Sequence, residues 1–201
     1  MGICAVLAAA VWLGAVAADR EALSRELIRL HVVAASDSRE DQAVKLSVRD
    51  AVLSAIREDL EGVADVEAAQ AYLQENLPKI QEIANETLVQ AGVAPSAVVS
   101  LCREAFDTRD YDSFSLPAGV YQALRIVIGE GQGHNWWCVA FPSLCLSATG
   151  AEFEAKTAGA GFSDGLTQAL EGEGYEVRFF LLDCLGRVQN WLLEQKEGCA
   201  R

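Results

Sequence analysis

Basic side chains are scarce in this chain. Its 201 residues carry 16 Lys and Arg against 29 Asp and Glu, a formal net charge of −13 and a sequence pI near 4.5. A phosphate backbone is bound by clustered cations that release its counterions, so nucleic acid is excluded as a partner, and anionic lipid headgroups are disfavoured for the same reason. Catalytic signatures are missing as well. No GxSxG, HExxH, P-loop or Asp-Thr/Ser-Gly sequence occurs, which leaves no visible serine hydrolase, metalloprotease, NTPase or aspartic protease chemistry. The six cysteines form no CxxC or paired knuckle, so no metal site is expected. Gly129, Gly131 and Gly133 lack the spacing of a dinucleotide loop and lead into a strand instead of a helix, so no cofactor is expected either.

An uncharged stretch long enough to cross a bilayer comfortably is also lacking. Ile3–Ala18 is apolar over sixteen residues and ends in Ala15-Val16-Ala17-Ala18 before Asp19-Arg20. Small residues closing a short apolar run suit a signal peptidase, although no Lys or Arg precedes the run. The expectation is a secretory signal cut near Ala17 or Ala18, with an uncleaved N-terminal anchor or a buried helix as the alternatives.

What is present is a patterned core. With 51% hydrophobic residues the chain can bury one sizeable core. Leu27–Ala34 alternates, Ile28, Leu30 and Val32 against Arg29 and His31, which reads as a strand with one wet face. Ser36, Asp37 and Ser38 stop it. Asp37 with Glu40, or Ser38 with Asp41, has capping-box spacing for a helix to about Asp59, where Asp41 and Lys45 stand four apart. A second helical pattern runs from Val66 to Ala91, kinked or divided by Pro78, with Asn76 as a possible new cap and Gly92 as its stop. Ala97–Phe106 reads as a strand and Asp107–Ser115 as a connecting loop.

Gly119–Cys145 carries most of the functional information. Val120, Leu124, Ile126 and Ile128 alternate with Tyr121, Ala123, Arg125 and Val127, and Trp136–Phe141 is aromatic and β-branched up to Pro142. These read as two arms of a hairpin around the loop Gly129–Asn135. The fold class expected is α+β: an antiparallel sheet, in the order strand, two helices and a strand meander, covered by helices on one face. A C-terminal amphipathic helix follows over Val177–Glu194, interrupted by Gly186, either docked on the sheet or bound to a partner or membrane surface.

The loop displays Glu130, Gln132, His134 and Asn135 beside Trp136 and Trp137, the candidate partner-binding residues. Adjacent tryptophans on a strand face opposite sides, so one can be core and the other available outside, or both can serve packing. Cys138 and Cys145 are a candidate disulfide, the alternative being two buried thiols that behave as small hydrophobes. No catalytic residue is assigned. The enzyme alternative is an exported thiol hydrolase with Cys138 or Cys145 activated by His134 or His31.

The runs IRLHVVAASDSREDQAVKLSVRDAVL (Ile28–Leu53) and PAGVYQALRIVIGEGQGHNWWCVAFPSLC (Pro117–Cys145) resemble the stage II sporulation protein R family of endospore-forming bacteria. The resemblance implies a signalling protein made in the forespore and exported into the space between the two membranes. Its implied partner is a membrane-embedded aspartic protease, which then cleaves the precursor of a sporulation sigma factor. Residues 19–148 would form that signalling domain, behind a leader over 1–18 and ahead of a flexible linker over 149–174 and a helix and tail over 175–201.

Overall fold

The computed structural model describes residues 2–63, 65–111, 114–142, 167, 170 and 177–194. The expected linker, apart from positions 167 and 170, the tail beyond Glu194 and Cys145 lie outside these residues. In chain order the elements are α1 (Gly2–Glu26), β1 (Ile28–Val33), α2 (Arg39–Glu61), α3 (Val66–Gln90), β2 (Ala97–Phe106), β3 (Arg109–Asp110), β4 (Ser115–Leu116), β5 (Gly119–Ile128), β6 (Asn135–Phe141) and α4 (Val177–Glu194). The fold is α+β with a mostly antiparallel four-stranded sheet, as the patterning implies. The chain divides into two compact units, one of Leu27–Arg103 and Gln122–Leu146, the other of Met1–Glu26, Glu104–Tyr121 and Ser147–Arg201.

In the first unit, Ser38 caps α2, its hydroxyl accepting the Asp41 N–H at 3.0 Å. Val48, Val52, Ile56 and Leu60 then recur every four residues and are buried. α3 starts at Asp65, which accepts from the Ala68 N–H at 2.8 Å, and runs through Pro78 as one continuous helix. Asn76 is no cap; its amide turns back to the Tyr72 carbonyl at 2.9 Å. Both helices bury their apolar stripes on one face of the sheet, against Ile28, Leu30, Val32, Leu124, Ile126 and Ala140 among others.

The strand order is β2-β5-β1-β6, and this corrects two expectations. β5 and β6 are not a hairpin, because β1 lies between them, parallel to β5 and antiparallel to β6. Leu30 is thereby flanked by Leu124 and Cys138, and Val32 by Ile126 and Trp136. A central strand has no wet face. All of β1 is buried, with Arg29 at 0% and His31 at 3% exposure. Arg29 Nε donates to the Cys138 carbonyl at 3.3 Å, and His31 stacks on Trp137 with ring centroids 3.8 Å apart.

β2 is an edge strand, and an edge invites pairing with another chain. Two α3 amides block it. Asn85 Oδ1 accepts the Ala97 N–H at 2.9 Å while its Nδ2 donates to the Ala97 carbonyl at 3.3 Å, and Gln81 Oε1 accepts the Val99 N–H at 3.1 Å. The side chains thus occupy backbone groups that a neighbouring strand would use. Replacing both Gln81 and Asn85 with alanine should lower stability by about 1–3 kcal/mol, the cost of partly buried groups left unpaired. It should also produce concentration-dependent association in sedimentation velocity; a double variant that stays monomeric and melts like the parent would show the clasp to be dispensable.

In the second unit, the sequence read as a loop folds back as the short β3–β4 pair, Arg109 opposite Leu116. α4 buries Phe179, Leu182 and Asp183, and polar side chains tie it to the stretch from Phe106 to Tyr121. Buried Asp183 accepts from Thr108 Oγ1, from the Ala118 N–H at 3.0 Å and from Arg187 Nε at 2.8 Å. Asn190 donates to the Phe106 carbonyl at 2.7 Å, and Gln189 accepts from the Val120 N–H at 3.4 Å. Gly186, an apparent flaw in the helical pattern, is where α4 meets the Ala118 backbone.

Candidate functional site

The glycine loop is the place where the first unit brings its separate segments together. At the end of β5, Gly129 and Gly131 adopt φ of 59° and 63°, a region open to glycine with little strain. The chain then crosses the end of β1 to reach β6. Gln132 N–H donates to the Ala35 carbonyl at 3.2 Å and Gly133 N–H to Ala34 at 3.0 Å, so the crossing is held by backbone hydrogen bonds. Gly133 passes so close to the β1–α2 connection that a Cβ there would lie 2.2 Å from the Ser36 carbonyl oxygen.

Two charged side chains pin the far end of the loop. The Asp37 carboxylate accepts from the His134 N–H at 2.6 Å and contacts the His134 ring through Nδ1. Hydrogen bonds from the His134 backbone and ring hold the Asp37 carboxyl below its ordinary pKa, with Lys45 adding a smaller electrostatic contribution. Lys45 donates to the His134 carbonyl at 2.9 Å and to Gln42 Oε1 at 2.6 Å. Its burial pushes the ammonium pKa down, partly countered by Asp37. Lys45 therefore serves the loop and not the helical pair with Asp41 that the spacing suggests. Asp41 instead accepts from Ser36 Oγ.

The backbone is tied while the side chains point outward. Glu130, Gln132, His134 and Asn135 are all exposed or partly so, and Gln132 Nε2 donates to Glu130 Oε2 at 2.9 Å. The tryptophans take opposite faces. Trp136 is half-buried on the helix side beneath Arg49, whose guanidinium lies 4.1 Å from the ring centroid, and Trp137 is half-buried on the other face against His31. Both rings are thus used in packing, and the freely displayed part of the candidate surface is the loop itself. Asp37, Lys45 and Arg49 are its supports, and sequence reasoning alone misses them as site residues. A carboxylate at the helix start and cations along α2 look like ordinary capping and a solvated face until the loop is placed beside them.

The thiol-enzyme arrangement is not assembled among the described residues. Cys138 and Cys102 are each disulfide-bonded, His31 is stacked on Trp137, and His134 is engaged by Asp37. A cysteine in a disulfide has no thiolate to act as a nucleophile. Cys145, the candidate mate of Cys138, lies outside the described residues. Cys184 carries a free thiol.

Residues 24–150 match the family model described as stage II sporulation protein R. Stage II sporulation protein R of Bacillus subtilis (strain 168) is 40% identical over 121 residues, which cover 60% of this chain and 54% of that relative. The chain thus spans about half the length of the curated relative it matches. No solved structure matches it. The matched region contains the whole of the first unit, including the glycine loop and the residues that pin it. The chain belongs to the stage II sporulation protein R family.

Proposed function

We propose that this chain is an exported signalling protein that activates a membrane-embedded aspartic protease by contact, so that the protease cleaves a sporulation sigma-factor precursor. Family membership supports the signalling role, and the glycine loop supports the contact. One observation carries the choice of surface. Glu130, Gln132, His134 and Asn135 project from a backbone held by Ala34, Ala35, Asp37 and Lys45, so a partner meets a preorganised surface and little ordering entropy opposes binding. Export accords with the disulfides at Cys138 and Cys102, since such bonds persist outside the reducing cytoplasm. Cys145, seven positions after Cys138, is the mate we assign to that strand. The apolar leader over Ile3–Ala18 would direct the export into the space between the two spore membranes.

The test is cleavage of the precursor in membranes that contain the protease and the added activator. Alanine at Glu130, Gln132 or Asn135 removes only side chains displayed to solvent and should change stability by no more than about 0.5 kcal/mol. Where one of them is a hot spot, activation should fall roughly five- to thirtyfold, the equivalent of about 1–2 kcal/mol of contact. A triple variant that folds and activates like the parent would remove the loop as the contact surface and leave α2, Arg39–Glu61, as the next face to examine.

A further inference from the structure

His134 is displayed and fixed at once. Its side chain is 78% exposed, yet Nδ1 of the ring meets the Asp37 carboxylate, while the residue's N–H is held by Asp37 at 2.6 Å and its carbonyl by Lys45 at 2.9 Å. The two backbone bonds already tie the loop at this residue. The ring contact adds a different property: a carboxylate only accepts, so the proton between the two groups belongs to Nδ1. Hydrogen bonds from the His134 backbone and ring hold the Asp37 carboxyl below its ordinary pKa, which keeps it a carboxylate well into acid. In the neutral ring Nε2 is then left with its lone pair, a hydrogen-bond acceptor on the displayed side of the loop.

The other charged groups nearby are engaged or offset. They come from the β1–α2 connection, from α2 and from the loop itself. Lys45 is turned to the His134 carbonyl and to Gln42, and Glu130 accepts from Gln132. Arg39 and Glu40, exposed side by side in the first turn of α2, carry opposite charges. The second histidine of the chain, His31, is buried and stacked on Trp137, so it displays no such atom.

We infer that Asp37 is a positioning residue that fixes His134 in its Nδ1–H form, and that Nε2 accepts a hydrogen bond from an amide, hydroxyl or ammonium donor on the protease. The inference rests on the reading of the glycine loop as the contact surface. It gives that contact a pH dependence of definite sign. A second proton, taken up in the range of about pH 8 to 5 where histidines change charge, turns Nε2 from acceptor to donor and sets it against the partner's own donor. Acid in this range does not loosen the loop, because a charged ring binds the still-ionised Asp37 carboxylate more strongly.

The test compares the parent with His134→Asn and Asp37→Asn, by precursor cleavage and by nitrogen NMR of the imidazole in the full chain. An asparagine amide reproduces Nδ1–H toward Asp37 and has nothing in the place of Nε2, so His134→Asn should melt like the parent. At about pH 8 its activation should be roughly three- to tenfold lower, the effect of one hydrogen bond, and the gap should close toward about pH 5. The parent ring should carry its proton on Nδ1 with Nε2 bare, and Asp37→Asn should lose that preference. The ring measurement needs no variant, and a parent ring protonated on Nε2 instead would overturn the inference. So would His134→Asn activating like the parent while the triple variant of Glu130, Gln132 and Asn135 fails. A gap that widens with acid would also overturn it, since the partner group would then be a carboxylate meeting an imidazolium. If His134→Asn and the triple variant both activate fully, the loop is not the contact surface and the assignment of Nε2 falls with it, whichever tautomer the ring shows.

Discussion

Gly186→Ala is expected to unseat α4 and to destabilise its unit by about 3 kcal/mol or more, at the upper end of overpacking costs. An alanine Cβ at this position would lie 1.5 Å from the Ala118 carbonyl oxygen and 2.3 Å from its carbon, and both belong to backbone, so no rotamer change relieves the clash. Moving the helix away would also break its contacts to Thr108, Ala118, Val120 and Phe106. Hydrogen exchange should report this as lost protection at Ala118 and Val120. Gly62 supplies the control. A Cβ added there would meet only the Asp59 carbonyl oxygen, at an ordinary 3.9 Å, so Gly62→Ala should leave this protection unchanged. Parent-like protection in Gly186→Ala would mean that α4 is not seated on Ala118.

Acid should loosen the same junction. Burial raises the Asp183 carboxyl pKa, but hydrogen bonds from Thr108, Ala118 and Arg187 outweigh it and hold the group below its ordinary value. A depressed carboxylate contributes stability above its unfolded pKa of about 4 and loses it as the pH falls through the lower folded value. Asp183→Asn should therefore flatten the acid limb of the stability curve below about pH 4, and should leave its shape above that unchanged.

The elements are legible in the sequence because each has a strong local period. α2, α3, β2 and α4 follow their apolar spacing, and Ser38 caps α2 as its hydroxyl and the Asp41 position imply. What local pattern cannot hold is the neighbour of a strand. β5 and β6, joined by a short glycine loop, look like a hairpin until β1 is placed between them, and only pairing between segments far apart in sequence, Val33 with Val127, does that. The same insertion explains why Arg29 and His31 are not on a wet face. Alternating polar residues signal such a face on an edge strand but not on a central one, where Arg29 reaches the Cys138 carbonyl and His31 stacks on Trp137. Nor does a glycine announce its role in the sequence. Gly133 and Gly186 mark close backbone approaches whose partners lie far away along the chain.

Gly133→Ala is the sharper test of the loop, because it acts on the backbone and leaves every displayed side chain in place. The added Cβ would lie 2.2 Å from the Ser36 carbonyl oxygen and 2.9 Å from the Ala34 Cβ, so the loop must lift from the β1–α2 connection. Lifting it strains or breaks the Gln132 and Gly133 hydrogen bonds to Ala35 and Ala34 and the Asp37 contact with His134. Overpacking of about 1–3 kcal/mol and hydrogen bonds worth about 1 kcal/mol each give an expected loss of roughly 3 kcal/mol. For a chain of this size that corresponds to a fall in melting temperature of roughly 6–12 °C. Glu130→Ala should leave the melting temperature unchanged, and comparing the two separates a displayed contact from its scaffold. If the loop is the contact surface, Gly133→Ala should reduce protease activation even at temperatures where the variant remains folded, since a lifted loop presents its side chains in the wrong places. A variant with parental melting would show that the approach at Ser36 is relaxed in solution, and one that melts low yet activates fully while folded would place the contact elsewhere.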